Sequence, residues 1–189
     1  MTRQQAGNGD MAHWICGRLK PVATSLLCLA LLWLPAGAAA PAPIKLAMFD
    51  FELDDVSAGA SADGEASSDV EQLARASHEV GDLLARSGRY ELIDVSGADA
   101  AAAKAHTLRD CGGCEATLAL KLGADQSLLG VVRRISRLEY VVRVQIRDAR
   151  TGAVLSDADS GLRMGANYSW DRGAARLVQD RLLNDRAQP

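Results

Sequence analysis

The segment 138–148, LEYVVRVQIRD, is the clearest sign of the fold. Its apolar residues alternate with residues that, apart from Val141, are polar or charged, which is typical of a strand with one buried face and one wet face. The apolar set is Leu138, Tyr140, Val142, Val144 and Ile146. A strand is predicted just before it over 125–135, and Thr151-Gly152 turns the chain into another over 153–159. The sequence therefore predicts an antiparallel meander of three strands.

The segment before the meander predicts strands that are joined by a helix. Residues 44–53 are apolar on both faces and indicate a buried strand, and residues 90–95 indicate a short one. Between them, a capping box from Ser68 to Glu71 begins a helix that Gly88 ends. The apolar stripe of this helix comprises Val70, Leu73, Ala74, Ser77, Val80, Leu83 and Leu84. Because a crossover helix joins them, the two strands are expected to be parallel.

The remaining elements complete the predicted order β-α-β-α-α-β-β-β-α. Helices are expected over 98–109, over 115–122 with Gly123 as C-terminal cap, and over 170–183. Trp170 opens the last helix, and apolar residues follow it at helical spacing, so this helix is expected to join the core. The order favours an α/β (α+β) sandwich of two layers, with a mixed sheet of about five strands and helices mainly on one face.

The first forty residues have the pattern of an export signal. Arg18 and Lys20 precede the apolar run 22–34, and small residues follow it. The run is short for a membrane span, which needs about 20 residues. We predict a signal peptide over 1–38, cleaved after Ala38, and a single secreted domain over 39–189 with a mobile loop at 54–67. The mature protein is expected to be periplasmic or secreted, without membrane insertion.

Several motifs resemble known bacterial families. The LGAD motif at 122–125 before a strand, and the DARTG hairpin at 148–152, look like the N-terminal domain of TolB and the related curli-assembly (CsgG) and penicillin-binding-protein-activator (LpoB) domains. More closely, FDFEL at 49–53, CxxCE at 111–115, LGAD and Ser169-Trp170 resemble an uncharacterised family of secreted bacterial proteins of unknown function. The resemblance implies a non-catalytic, protein-binding module of the envelope, and it transfers no activity.

Composition and motifs exclude several functional classes. The 189 residues are 48% hydrophobic and 24% charged, which excludes a collagen-like or fully disordered chain. The net charge of −3 gives no electrostatic reason for a nucleic-acid partner. The sequence has no nucleophile elbow, phosphate-binding glycine loop or zinc-protease motif. We therefore predict no catalytic residue and no cofactor, and a binding or adaptor protein whose partner is another envelope protein.

Cys111 and Cys114 are the residues of this sequence whose side chains are most suited to chemistry. In an exported protein, an even pair favours a structural disulfide. The alternative is thiol–disulfide exchange or metal handling, because the amides of a helix N-terminus favour a thiolate. Glu115 opposes that effect, and a tetrahedral metal site needs four ligands, of which His106 would be a third. No metal site is predicted.

Arginines concentrate on the predicted hairpin of an acidic protein. Side chains alternate across a strand, so Arg143 and Arg147 emerge on the same side, and Arg133 is expected to join them from the neighbouring strand. We predict that these three form a basic partner surface suited to carboxylate or phosphate groups. The alternative is a sheet face that is merely solvated.

Four acidic residues lie at the end of the first predicted strand, namely Asp50, Glu52, Asp54 and Asp55. Their spacing lacks the glycine and the distal glutamate of a calcium loop. They are expected to solvate the strand end rather than to hold a cation.

Overall fold

The computed structural model describes residues 41–57, 67–98, 107–163 and 169–184. The predicted signal peptide 1–38, most of the predicted loop and most of the predicted helix 98–109, with His106, lie outside the described residues. The elements are β1 (Ile44–Met48), β2 (Glu52–Asp55), α1 (Ser67–Arg86), β3 (Tyr90–Ile93), a 3₁₀ turn (Leu108–Asp110), α2 (Cys114–Lys121), β4 (Gln126–Arg134), β5 (Glu139–Asp148), β6 (Val154–Arg163) and α3 (Trp170–Val178), which continues as a π-helix over Gln179–Leu183. None of the helices in the described ranges has the length and apolar character that crossing a membrane requires.

The described strands form one mixed sheet of six strands in the order β3-β1-β4-β5-β6, and β2 also pairs with β4. β1 lies parallel to both β3 and β4, whereas β4, β5 and β6 form an antiparallel meander. The predicted mixed sheet, parallel pair and meander are therefore confirmed. The sheet has one strand more than expected.

The extra strand arises because the predicted strand 44–53 is two strands. Between Met48 and Glu52 this segment advances four residues while its partner β4 advances three. The surplus residue acts as a β-bulge and inverts the alternation of side chains. Phe49 and Phe51 consequently lie in apolar clusters on opposite faces of the sheet. Burial on both faces is confirmed, but the prediction of one continuous strand was wrong.

One face of the sheet, here called the helix face, is covered by α1 and α3. On β5 it carries the alternating set Tyr140, Val142, Val144 and Ile146, all of which are buried. Leu138 was expected in this set, but its side chain is 67% exposed because β5 begins one residue later. The core between the sheet and the two helices excludes water from a continuous apolar surface, which is the main source of stability.

The stripe predicted for α1 is only partly correct. Leu73, Val80 and Leu84 are buried as expected, but Val70 is 51% exposed and Ala74 is also exposed. The buried line runs instead through Asp69 and Ala76. The helix begins at Ser67, which places the predicted cap Ser68 inside it. The helix is therefore rotated relative to the predicted stripe, with an acidic side chain turned inward.

The last helix docks on the helix face as predicted. Trp170 is 1% exposed and its ring lies 5.4 Å from that of Tyr140. Ser169 occupies the N-cap position without a side-chain hydrogen bond to the helix. Gly88 and Gly123 follow the ends of α1 and α2 with φ of 66° and 81°, a backbone conformation that glycine adopts without strain.

The opposite face, here called the outer face, is only partly covered. The 3₁₀ turn and α2 pack there in a second apolar cluster with Ala47, Phe49 and Leu129. This cluster lies over β1 and the first half of β4. Helices thus lie mainly on one face, with the short α2 as the exception.

Candidate functional site

The uncovered part of the outer face is a shallow hollow of about 470 Å³. Val131 and Val141 supply its half-buried apolar surface beside the buried Leu129, and Arg133 and Arg143 stand next to them. The antiparallel register brings these residues together, because Val131 pairs with Arg143 and Arg133 with Val141 across β4 and β5. This region, from here the open face, contains two of the three arginines predicted to meet a partner.

Both of these arginines are paired with aspartates. Arg133 Nε lies 2.6 Å from Asp54 Oδ2, and Arg143 donates from Nε to Asp157 Oδ1 at 2.7 Å and from Nη2 to the other oxygen. The hydrogen bond from Arg143 holds the pKa of Asp157 below its usual value. Asp159 stands opposite Arg143 on β6. The open face therefore alternates in sign, an arrangement that the sequence of one strand does not reveal.

Arg147 lies on the outer face but beneath α2. Its Nε is 2.8 Å from Glu115 Oε1, and its Nη1 donates to the Gly152 carbonyl at 3.0 Å. Glu115 is 2% exposed, so the carboxylate is neutralised by an arginine in a nearly dry site. The structure thus brings Arg133 and Arg143 together and places Arg147 apart from them. The role of all three in binding a partner stays a prediction.

Cys111 and Cys114 lie at disulfide distance, with Cα atoms 5.6 Å apart. Two left-handed glycines, Gly112 and Gly113, form the turn between them, and α2 begins at Cys114. In the described ranges, the two cysteines and Glu115 form a group of three side chains of the types that bind metal ions. Their ligand atoms lie within 4.8 Å of one another. Because Arg147 already engages Glu115, the carboxylate is not a free third ligand.

Arg134 is a structural centre that the sequence pattern did not single out. Its guanidinium lies 2.8 Å from Asp55 and 2.6 Å from Asp69 of α1. It also lies over the rings of Tyr140 and Trp170, at 5.6 and 5.9 Å from their centroids. Burial acts to lower the pKa of Arg134, but hydrogen bonds to Asp69, Tyr140 and Asp55 outweigh it and raise the pKa. The side chain joins two strands and two helices through charge and ring contacts.

Glu52 is likewise structural rather than solvated. Its side chain is 1% exposed and accepts hydrogen bonds from the backbone N–H groups of Leu108 and Arg109, at 2.8 and 3.1 Å. A salt bridge to the Arg109 guanidinium at 3.2 Å completes its environment. The expectation that the four acids solvate a strand end is therefore wrong for Glu52, because the 3₁₀ turn folds over it and supplies unpaired amides.

The fold is that of a two-layer α/β protein. In the described part of the chain, the polar clusters set out above are ion pairs that join one helix or strand to another. The chain belongs to the family DUF3280, described as "Protein of unknown function (DUF2380)", whose model matches residues 44–182. This agrees with the resemblance to a family of unknown function. No curated protein matches the sequence.

Three solved structures illustrate the wider similarity. The LpoB C-terminal domain from Salmonella enterica is 14% identical, with 74% of this chain and 94% of that chain covered and a TM-score of 0.44. Lipoprotein GNA1162 from Neisseria meningitidis is 15% identical, with 77% and 98% covered and a TM-score of 0.45. TolB from Acinetobacter baumannii is 15% identical, with 70% and 25% covered and a TM-score of 0.40.

Proposed function

We propose that this protein is a non-catalytic binding module of the bacterial envelope that holds a partner protein on its open face. The observation that carries the proposal is the unequal covering of the sheet. Two helices bury the helix face, whereas on the outer face Arg133 and Arg143 are exposed and Val131 and Val141 are only half-buried. Arginine is enriched at protein–protein interfaces relative to other surfaces, and the ion pairs with Asp54 and Asp157 orient the two arginines of this face.

The charge pattern favours a protein over a polyanion as the partner. The face presents Arg133 and Arg143 together with Asp54, Asp157 and Asp159, so both signs lie within a few residues of one another. A phosphate polymer would meet repulsion from the aspartates. A polypeptide surface can match alternating charges with complementary ones, which fixes register more than it adds affinity.

The proposed envelope location rests on the predicted signal peptide. We expect intact-mass analysis of the exported protein to begin at Ala39, and the protein to fractionate with the periplasm or the medium. The full-length N-terminus in the membrane fraction would contradict this location.

The open face can be tested without removing its ion pairs. In the charge swap Arg143→Asp with Asp157→Arg, the pair is kept but its polarity toward a partner is reversed. The matched control is Arg176→Asp with Asp180→Arg, an exposed pair on α3 and its continuation, where the two groups are 3.6 Å apart. Neither swap changes net charge, and exposed pairs of this kind contribute about 1 kcal/mol or less to stability.

The measurement is affinity capture from envelope extract at two salt concentrations. The swap on the open face should lose the partner that wild type and the control retain, and the loss should be larger at low salt because screening is weaker there. Identical captured proteins and identical salt dependence in all three would exclude this face. Arg147→Glu would not test this face, because it would place a second carboxylate beside the buried one of Glu115 and destabilise the fold.

Thiol–disulfide exchange by Cys111 and Cys114 is the second candidate. It is favoured by the position of the pair at the start of α2 and by the exposure of Cys111. A reduction potential well above about −300 mV, with mixed oxidation states in exported protein, would support it. Zinc in the purified protein would instead support metal handling.

A further inference from the structure

A second concave region lies on the helix face, away from the open face. It is a cleft of about 660 Å³ between α1 and the ends of β1 and β3. Met48, Phe51, Leu73 and Leu92 are among its lining residues, so its walls are mainly apolar. Its volume falls within the range of about 300–1,000 Å³ that is usual for small-molecule sites.

The topology places this cleft where an α/β sheet has its natural crevice. β1 and β3 are adjacent and parallel, and the cleft lies at their carboxyl ends. From β1 the chain goes through the bulge to β2 of the same sheet and then to α1 on the helix face. Ligands of open α/β sheets bind in the crevice outside the carboxyl ends of the strands.

The side of the cleft formed by α1 carries apolar residues that are not part of the buried core. Val70 and Ala74 line the cleft but are exposed, whereas the buried line of α1 runs through Leu73, Ala76 and Val80. These are the two exposed positions of the predicted stripe, whereas its members Ser77 and Leu83 are half-buried. Apolar surface that is exposed in a concave site marks a place where another apolar group can be covered.

Asp50 supplies the charge at this site. It is an exposed residue within the bulge between β1 and β2, it is among the residues that line the cleft, and it has no hydrogen-bond or ion-pair partner in the described ranges. Bulges often re-aim a side chain beside a functional site. The other titratable lining residue, His78, stands 3.7 Å from Asp82 instead. An unpaired carboxylate therefore selects for a cationic group.

We propose that the cleft is a binding site for a small amphipathic cation, with its apolar chain in the cleft and its ammonium group against Asp50. This site is separate from the open face, since the two lie on opposite faces of the sheet. It would be a small-molecule function additional to the binding of a partner protein.

The test uses three probes of equal chain length, n-octylamine, n-octanol and n-octanoate, titrated calorimetrically below their micelle concentrations. We expect the amine to bind about two- to fivefold more tightly than the alcohol, the range of an exposed ion pair, and the carboxylate to bind most weakly. No binding of any probe, or octanoate binding as tightly as octylamine, would overturn the proposal.

Variants separate the charge from the cleft. Asp50→Asn should make octylamine and octanol bind equally. Ala74→Trp should fill the cleft and abolish binding of both. The control is Ala85→Trp, an exposed position on the same helix three turns away and outside the cleft, which should bind as wild type does. Circular dichroism melts check that each variant is folded, and wild-type binding by folded Ala74→Trp would contradict the proposed location.

Discussion

Arg133 and Arg134 are neighbours on β4 with opposite roles. Arg133 points to the outer face, where its side chain is 58% exposed and bonded to one aspartate. Arg134 points to the helix face, where it is 19% exposed and contacts two aspartates and two aromatic rings. The pleat alone separates them, because successive side chains of a strand leave opposite faces. An arginine-rich segment of a strand therefore divides into residues that hold the fold and residues that a partner can reach.

A similar division occurs on β5, but a helix causes it. Arg143 and Arg147 emerge on the same face, yet α2 covers only the second and adds Glu115 as its partner. Side-chain direction thus identifies the face, and the packing of distant elements decides the exposure. The following predictions test this separation of interior and accessible arginines.

The largest expected effect comes from removing the aromatic cover of Arg134. Trp170→Ala should lower the free energy of unfolding by about 3–5 kcal/mol, because a large buried side chain leaves a cavity. Trp170→Phe keeps most of that volume and should lower the free energy of unfolding by a smaller amount. Urea denaturation measures both variants. Trp170 is the only tryptophan of residues 39–189, so its emission in that fragment should be blue-shifted, and a fully solvent-exposed maximum would show that α3 does not dock.

The second largest effect on stability is expected for Arg134, compared with its neighbour Arg133. Arg134→Met should cost about 2–4 kcal/mol, because it leaves Asp69 and Asp55 without their counterion in a largely dry site. Arg133→Met, the matched variant one residue away, should cost about 1 kcal/mol or less, as exposed pairs do. Chemical denaturation of both proteins at neutral pH measures the difference. Equal losses would contradict the assignment of different roles.

The disulfide turn next to Arg147 should contribute less. Cys111→Ala with Cys114→Ala should lower stability by about 1–2 kcal/mol, since so short a loop restricts the unfolded chain only slightly. Intact mass before and after alkylation of exported wild type should show that the pair is oxidised. A double variant that no longer folds would indicate that the turn does more than close a loop.

The smallest expected effect is a dependence of stability on pH. Burial acts to raise the pKa of Asp55, but hydrogen bonds from Ser57 and Arg134 outweigh it and hold the pKa below the ordinary 3.8. A carboxyl whose pKa is depressed on folding stabilises the protein above its unfolded pKa, and this contribution is lost as pH falls through the folded pKa. The penalty of Arg134→Met should therefore shrink below about pH 4, by about 1 kcal/mol or less. The same substitution in an Asp55→Asn background should show a weaker pH dependence.

Local patterns predicted the elements of this fold better than its junctions. Alternation along β5 and the apolar spacing of α3 depend only on near neighbours in sequence, and both were confirmed. The bulge after Met48 exists only in the pairing with β4, and the rotation of α1 depends on Arg134, far along the chain from Asp69. The acids that neutralise Arg133 and Arg143 also come from other strands. A strand pattern indicates which face a charge occupies, but the element that meets it is set by tertiary packing.

Gly130 limits how the residues around the bulge can change in evolution. A Cβ at this position would lie 2.4 Å from the ring of Phe51, closer than any real contact. The ring rests on the bare backbone of β4, so the two positions cannot vary independently. A homologue with a side chain at 130 must carry a smaller residue at 51 or lose the bulge. Coupled change at these two positions would therefore trace, through the family, which members keep the side-chain inversion that puts Phe49 and Phe51 on opposite faces of the sheet.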